Sequence, residues 1–247
     1  MRLCAQTFQV GKKGGSRSEY EDACFPESGF RGELRNYRCA VADGATESAF
    51  SREWAQLLVR SFGEHSFRLK DQQRSWRRLV EQHPLPWYLE RKVTQGAHAA
   101  FLGLSLHDPF PGGPVGRAKT GTWRAFAVGD SCLFHVRSDR LLKAAPLSSS
   151  EEFGNNPFLL STACPSPLSR DDEFVSIFSG IWKSGDAFYL ATDAMARWLL
   201  SEEEASRPPW RFLRDLGPPL FEPIVEILRG TERLHNDDTT VLRVEVI

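Results

Sequence analysis

Acidic residues border several short apolar runs of this sequence, an arrangement that could bind metal ions. If the apolar runs are strands that end at one rim of a sheet, their carboxylates meet there. Carboxylates at close range repel each other, so sites rich in them normally hold hard cations such as Mg²⁺ or Mn²⁺. Two such ions about 3.5–4 Å apart can activate a water and stabilise the displacement of a phosphoryl group. The acidic residues are Glu21, Asp22, Asp43, Asp130, Asp193, Asp237 and Asp238.

A second interpretation applies to each aspartate taken alone. Asp and Gly are common in turns, so a single aspartate beside a strand is more often a turn residue than a metal ligand. The adjacent pair Asp237-Asp238, for example, could simply end a loop. The prediction of a metal site therefore depends on the order and context of all the acidic positions together.

Two buried strands are predicted to end at an aspartate. The run YRCAVA at 37–42 stops at Asp43-Gly44, and the run AFYLAT at 187–192 stops at Asp193. Short apolar runs that are bounded by turn residues are typical of buried strands. Both aspartates are therefore expected at the rim of a sheet.

Further strands are predicted in the middle and at the end of the chain. Residues 123–128 and 132–137 flank Gly129-Asp130-Ser131, which predicts a β-hairpin closed by a tight turn. Near the C-terminus, apolar and charged residues alternate, which predicts a strand with one face in the core and one face in water. The apolar positions there are Leu242, Val244 and Val246, and the charged positions are Arg243 and Glu245.

Helices are predicted between these groups of strands. The clearest apolar stripe at helical spacing consists of Phe50, Trp54, Leu57, Leu58 and Phe62. Additional helices are expected over 72–82, after Pro84 or Pro86, and over 210–216 and 220–228.

The order of the elements indicates the fold class. Strands that occur as hairpins and helices that occur in pairs favour an α+β layered fold over a parallel sheet. Irregular segments rich in Pro, Gly and Ser are expected at 108–116 and 146–172. Because no repeat or linker interrupts the pattern, we predict one domain over residues 1–247.

Composition and charge exclude several classes of function. The chain has 247 residues, of which 41% are hydrophobic and 26% charged, and its net charge is −1. That charge gives no reason to expect nucleic acid or an anionic membrane surface as a partner. No run approaches the roughly 18 apolar residues of a membrane-spanning helix. The five cysteines form no CxxC pair, so we expect reduced thiols in a cytoplasmic protein.

Five short motifs follow one another along the chain. They are RSEYED at 17–22, VADG at 41–44, AVGDS at 127–131, LATD at 190–193 and DDTTV at 237–241. In order and spacing they resemble the motifs R-x-x-x-E-D, V-x-D-G, V-G-D-S, S/T-D-G and D-N/D-x-T/S-V of the PP2C (PPM) family of metal-dependent protein Ser/Thr phosphatases. The resemblance covers nearly the whole chain. It implies a four-layer α/β/β/α sandwich of two mainly antiparallel sheets flanked by helices, with a metal site at one end.

The resemblance also implies which residues hold the ions. Asp43 would bridge two Mg²⁺ or Mn²⁺ ions. The Glu21 carboxylate and the Gly44 carbonyl would complete the shell of the second ion, partly through water. Asp193 and Asp237 would hold the first ion.

Three more residues have implied roles around the ion pair. Asp22 would bind a coordinated water or support the ligand shell. Arg17 would grip the substrate phosphate, since a guanidinium pairs with phosphate oxygens through parallel hydrogen bonds; without the motif it would be interpreted as a solvated loop arginine. Asp130 would help Asp193 to hold a weaker third ion, and a structural role in the hairpin turn explains Asp130 equally well.

The implied reaction is the hydrolysis of phosphoserine or phosphothreonine on a protein by a water that bridges the two cations. The implied partner is a phosphorylated protein, for example a Ser/Thr kinase. Tyr20 stands before Glu21 where the family commonly has an asparagine. Two further positions depart from the family pattern, because Ala45 replaces a histidine proposed as general acid in some members and Ala194 replaces the usual glycine. These departures keep open a catalytically silent module that binds a phosphorylated partner. A small phosphorylated metabolite is a further alternative as the substrate.

A different phosphatase signature is set aside. The segment CPSPLSR at 164–170 has the C-x5-R spacing of cysteine-based phosphatases. Its two prolines have no N–H to donate to a phosphate, and it contains no glycine. The segment instead falls in the region that resembles the family's mobile flap beside the active site.

Overall fold

Two antiparallel sheets pack face to face in this protein. The computed structural model describes residues 1–64, 67–109, 115–116, 118–154, 157–163 and 175–247. The segment 164–170 with the C-x5-R spacing lies outside the described residues, as do parts of the irregular segments predicted at 108–116 and 146–172. Within the described part of the chain, no helix is long and apolar enough to pass through a membrane.

The first sheet contains both ends of the chain. Each pair of neighbouring strands in it is antiparallel, and Leu3 of the first strand lies opposite Val246 of the last. In spatial order its strands are β3 (Phe30–Glu33), β1 (Arg2–Val10), β12 (Thr239–Val246), β11 (Asp186–Ala191), β7 (Cys132–Arg137) and β8 (Arg140–Ala145).

The second sheet is built from the middle of the chain. Its neighbouring strands are also antiparallel. In spatial order they are β10 (Ser176–Lys183), β6 (Thr120–Val128), β5 (His98–His107), β4 (Asn36–Gly44) and β2 (Ala23–Phe25), with the short β9 (Leu160–Ser161) paired to the start of β5.

Helices cover the outer faces of both sheets. The predicted stripe on the first helix is confirmed, since Trp54, Leu58 and Phe62 are buried there against the second sheet. The helices are α1 (Ser51–Glu64), α2 (Leu69–Glu81), α3 (Trp87–Gln95), α4 (Asp193–Glu204), α5 (Trp210–Asp215) and α6 (Pro218–Gly230).

Strand alternation divides the interior into three apolar layers. Along β4, Val41 packs between the two sheets, whereas Ala42 packs against α1. Along β11, Leu190 packs between the sheets, whereas Tyr189 packs against the C-terminal helices. The result is an α/β/β/α sandwich, which confirms the predicted fold class.

The predicted hairpin at Gly129-Asp130-Ser131 is wrong. The strand before it, β6, pairs with β5 and β10 in the second sheet, whereas β7 pairs with β8 and β11 in the first. The turn at Gly129, which has φ +94°, therefore carries the chain from one sheet to the other. A Gly-Asp turn between two apolar runs fits both arrangements, because the true partners of each strand are distant in sequence.

The prediction of a solvent-exposed face on the last strand is also wrong. β12 lies inside the first sheet, and Arg243 is only 6% exposed. Its guanidinium donates to the carbonyl oxygens of Leu213, Arg214 and Leu216 at the end of α5. A charged residue can occupy this inner position because the helix end supplies the acceptors that water would otherwise provide.

The cysteines in the described residues are all free. Cys24, Cys39 and Cys132 are buried in the apolar layers, and Cys4 is partly buried. Burial raises the pKa of the Cys24 thiol to about 12. The expectation of reduced thiols remains a prediction, and the four described cysteines form no disulfide with one another.

Candidate metal centre

The end of β4 directs Asp43 toward the gap between the two sheets. Side chains alternate along a strand, so Asp43 lies on the same side as Cys39 and Val41, which face that gap. The next residue, Gly44, ends the strand, and a Cβ there would lie 2.9 Å from backbone atoms of Glu21 and Ser51. A side chain would therefore push the chain away from this rim.

The neighbouring rim of the first sheet contributes Asp193 and Asp237. Asp193 follows β11 after a single residue, Thr192, and is the first residue of α4. Its Oδ1 accepts a hydrogen bond of 2.5 Å from the backbone N–H of Ala194. Asp237 lies just before β12, the strand beside β11. The two aspartates thus reach the same end of the sandwich from adjacent strands.

The ends of the two sheets enclose a cavity of about 380 Å³. The two rims face each other across it, so acidic side chains from distant parts of the sequence come together there. Its acidic lining residues are Glu21, Asp43, Asp130, Asp193, Asp237 and Asp238, and Gly44 lines it as well.

Hydroxyl groups and a backbone loop hold the acidic residues of the N-terminal segment in place. Glu21 accepts hydrogen bonds from Ser51 Oγ at 2.5 Å and from Thr46 Oγ1 at 2.6 Å. The carboxylate of Asp238 accepts the backbone N–H of Lys12 at 2.8 Å and that of Glu21 at 2.7 Å. Asp238 therefore ties the 12–21 loop to the start of β12.

Asp22 lies behind the cavity rather than on its surface. It is 3% exposed, and its Oδ2 accepts a hydrogen bond of 3.0 Å from Thr192 Oγ1. Its Oδ1 is buried and has no hydrogen-bond partner. Burial raises the pKa of Asp22 well above its ordinary value, and the charges of Asp238 and Asp193 add to that shift.

Burial and neighbouring charges make Asp43, Asp130 and Asp193 harder to ionise. Burial raises the pKa of Asp43 well above the ordinary value, and the nearby charges of Asp22 and Asp193 raise it further. Burial also raises the pKa of Asp193, with a contribution from Asp237. The pKa of Asp130 rises to about 6, through burial first and the charge of Asp193 second.

These observations test whether divalent cations fit the site. The donors are carboxylates and one backbone carbonyl, which are the ligands preferred by Mg²⁺ and Mn²⁺. The buried Oδ1 of Asp22, which has no hydrogen-bond partner, also indicates a site that accommodates an additional group. Among the described residues, no group of three or more His, Cys, Asp or Glu side chains is already arranged to hold an ion. Carboxylates from both rims meet at this cavity, and a bound cation would offset their mutual repulsion, so the residues fit the ions without a preformed shell.

Arg17 is not among the residues that line the carboxylate cavity. Arg17 is exposed and lines a neighbouring cavity of about 720 Å³ together with Lys12, Lys13 and Arg52. The carboxylate cavity itself is lined by Arg197 and His235, which no motif identifies. The spacing of four residues between Asp193 and Arg197 could have revealed the arginine, since residues i and i+4 share one face of a helix.

The two alanines that depart from the family pattern both line the cavity. Ala45 follows Gly44 and has no group that could donate a proton. Ala194 lies inside α4 and is not among the residues with positive φ, so its Cβ fits the helical backbone without strain. Neither alanine displaces a predicted metal ligand.

Comparison with known proteins identifies the family. The model of the protein phosphatase 2C family matches residues 17–233, so the chain belongs to that family. No curated protein matches the sequence.

Solved structures with the same fold include bacterial phosphatases. The serine/threonine phosphatase PstP of Mycobacterium tuberculosis is 12% identical, with coverage of 100% of this chain and 99% of that one and a TM-score of 0.57. The PstP catalytic domain in complex with two manganese ions is 14% identical, with 99% of both chains covered and a TM-score of 0.57. PppA, a regulatory component of T6SS in Pseudomonas aeruginosa, is 17% identical, with 100% and 99% covered and a TM-score of 0.53. At these identities the likeness shows the fold alone.

Proposed function

We propose that this chain is a metal-dependent protein phosphatase that hydrolyses phosphoserine or phosphothreonine on proteins, with Mg²⁺ or Mn²⁺ as cofactor. The observation that carries the proposal is the cavity in which Asp43, at the end of a strand of the second sheet, meets Asp193 and Asp237, which flank strands of the first. Membership of the protein phosphatase 2C family supports the reaction class. The manganese complex of PstP supports the choice of ion.

The charge of the cavity explains why the reaction needs a cation. A phosphate monoester is negatively charged, and carboxylates alone would repel it. Divalent cations bound there would offset this repulsion and make a water more acidic, so that it becomes a nucleophile. Hydrolysis forms a P–O bond from that water and breaks the bond to the Ser or Thr oxygen, which gains a proton.

Some residues of the cavity would bind the cations, and others hold those ligands in position. Asp43, Asp193 and Asp237 present carboxylates from two facing rims, so an ion between the rims can be held from both sides. The hydroxyls of Thr46 and Ser51 fix the orientation of Glu21. The buried Asp22 holds its place through Thr192 and supports the floor of the cavity.

Activity with defined ions tests the proposal. Hydrolysis of p-nitrophenyl phosphate and of a phosphothreonine peptide is measured with Mn²⁺, Mg²⁺ or EDTA. We expect turnover that requires either ion and is lost in Asp193→Asn, which keeps an oxygen to accept the N–H of Ala194. Asp215→Asn, at an exposed residue on α5, is the matched control and should retain activity.

Three results would contradict the proposal in different ways. Turnover in EDTA would exclude the metal mechanism. A folded protein that binds Mn²⁺ but hydrolyses neither substrate would support the silent module that binds a phosphorylated partner. Faster hydrolysis of small phosphorylated metabolites than of the peptide would favour the metabolite alternative.

A further inference from the structure

The carboxylate cavity contains one Lys or Arg side chain within the described residues, Arg197 of α4. Arg17, the arginine that the family motif indicates for phosphate, lines the neighbouring cavity instead. The two arginines belong to distant segments, one before β2 and one on the helix that begins with Asp193. The structure therefore offers a different cation to a phosphate at the metal site.

The position of Arg197 follows from the helix that carries it. Asp193 opens α4, and Arg197 lies four residues later, one turn along the same face. The flanking residues Ala196 and Trp198 are buried in the apolar layer under the helix, whereas Arg197 is exposed. Packing on both sides thus orients the helix so that Arg197 borders the cavity.

The guanidinium of Arg197 is only partly engaged. Its Nη1 lies 3.0 Å from Nε2 of His235, another residue that lines the cavity. Because a guanidinium has only donors, Nε2 of His235 is the acceptor in this hydrogen bond. Among the described residues, no carboxylate lies within 4.0 Å of Arg197, although several line the same cavity. Within the part of the chain that the structure describes, its remaining N–H groups make no hydrogen bond, so they can bind a ligand.

We propose that Arg197 binds the phosphoryl group of the substrate in this protein. The inference rests on the proposed function and names the residue that holds the substrate at that site. The N–H groups of a guanidinium match the spacing of phosphate oxygens, and the contact is charge-assisted. His235 anchors one nitrogen, so fewer side-chain conformations are lost when the phosphate binds.

Phosphate binding and turnover are measured in parallel to test this role. The variants are Arg197→Ala, Arg197→Lys and Arg17→Ala, with Arg211→Ala on the exposed side of α5 as the matched control. Inorganic phosphate is titrated into the Mg²⁺-loaded protein by calorimetry, and its inhibition constant, kcat and KM are determined with p-nitrophenyl phosphate. Mn²⁺ affinity is measured for each variant, and thermal unfolding confirms that each is folded.

Loss of the Arg197 contact has a defined expected size. A hydrogen bond to a charged group is worth about 1.5–3 kcal/mol, so Arg197→Ala should weaken phosphate binding about 10- to 150-fold. Arg197→Lys should recover part of the lost affinity, because lysine keeps the positive charge but lacks the paired N–H donors of the guanidinium. Mn²⁺ affinity should not fall, since removing a nearby cation cannot weaken the binding of another cation electrostatically.

Two results would overturn the inference. Unchanged phosphate affinity in Arg197→Ala would show that Arg197 does not bind the phosphate. A loss of affinity confined to Arg17→Ala would show that the arginine of the family motif binds it instead. Failure of the proposed function is distinguishable, because a protein without turnover can still lose phosphate affinity in Arg197→Ala. In that case Arg197 binds phosphate in a silent module.

Discussion

Replacing Asp130 by asparagine should stabilise the protein in the absence of metal. Asp130 is 9% exposed and lies near Asp193 at the cavity. Burial and that neighbouring charge raise its pKa from the ordinary 3.8 to about 6. The folded protein therefore binds the proton more tightly than the unfolded chain does, and ionisation of Asp130 opposes folding.

The size of the effect follows from the two pKa values. The difference between about 6 and 3.8 corresponds to a cost of about 3 kcal/mol once the group is fully ionised. That cost is absent below the unfolded value of 3.8 and complete above the folded value of about 6. The asparagine side chain has no charge at any pH, so Asp130→Asn should gain up to about 3 kcal/mol at pH 8 and about 1 kcal/mol near pH 4.5.

Urea unfolding in EDTA, followed by circular dichroism at both pH values, measures this gain. Asp215→Asn is the matched control, since Asp215 is exposed and its replacement should change stability by less than about 0.5 kcal/mol at either pH. Saturating Mn²⁺ should shrink the gain of Asp130→Asn, because a cation already offsets the negative charge. A gain that is absent at pH 8, or equal at pH 8 and pH 4.5, would refute the reasoning.

Other perturbations probe the fold and the ligand set. Gly129→Ala places a Cβ 2.6 Å from a neighbouring side chain at φ +94°, and urea unfolding should show a loss of about 2–5 kcal/mol. Gly185→Ala also has positive φ but open space, so it should lose only the conformational part, about 1–2 kcal/mol. Arg243→Met leaves the carbonyl oxygen of Leu216 without this donor and should cost roughly 3 kcal/mol in the same assay. Asp43→Asn should lower Mn²⁺ affinity by calorimetry at least about tenfold while the circular dichroism spectrum is retained.

The sequence contains enough information for the elements that carry the metal site. The runs before Asp43 and Asp193 are strands, because apolar residues followed by Asp-Gly or Thr-Asp have few other stable arrangements. The helical stripe from Phe50 to Phe62 is likewise local, and it forms α1 from Ser51 onward. Local periodicity thus predicts that Asp43 and Asp193 each lie at the end of a buried strand.

Partners that are distant in sequence explain what local patterns predict incorrectly. Gly129 separates strands of different sheets, and only their pairing with β5 and β11 distinguishes this from a hairpin. In the sequence Arg243 resembles a solvent-exposed residue, but in the structure it is buried because carbonyl oxygens at the end of α5 accept its hydrogen bonds. In both cases the structure is decided by a contact between segments that are far apart in sequence, which a local pattern cannot reveal.

The same limit applies to the substrate-binding arginine. A motif in sequence associates Arg17 with Glu21 and Asp22, because they are close along the chain. In the structure Glu21 lines the carboxylate cavity, whereas Arg17 lines the neighbouring one. Proximity in sequence therefore does not establish which cation a phosphate at the cavity meets.

Metal binding is linked to the stability of the sandwich, because the carboxylates of the site come from the rims of two facing sheets. Asp43 ends a strand of one sheet and Asp193 lies just beyond a strand of the other, so their repulsion acts between the two sheets. Unfolding removes both the repulsion and the ion site, since the acids are then far apart in a flexible chain. An ion that binds only the folded protein at roughly 100 times its Kd stabilises it by about 2.7 kcal/mol. Because this gain is similar in size to the cost that ionised Asp130 imposes, the cation can compensate for the charge that the site requires.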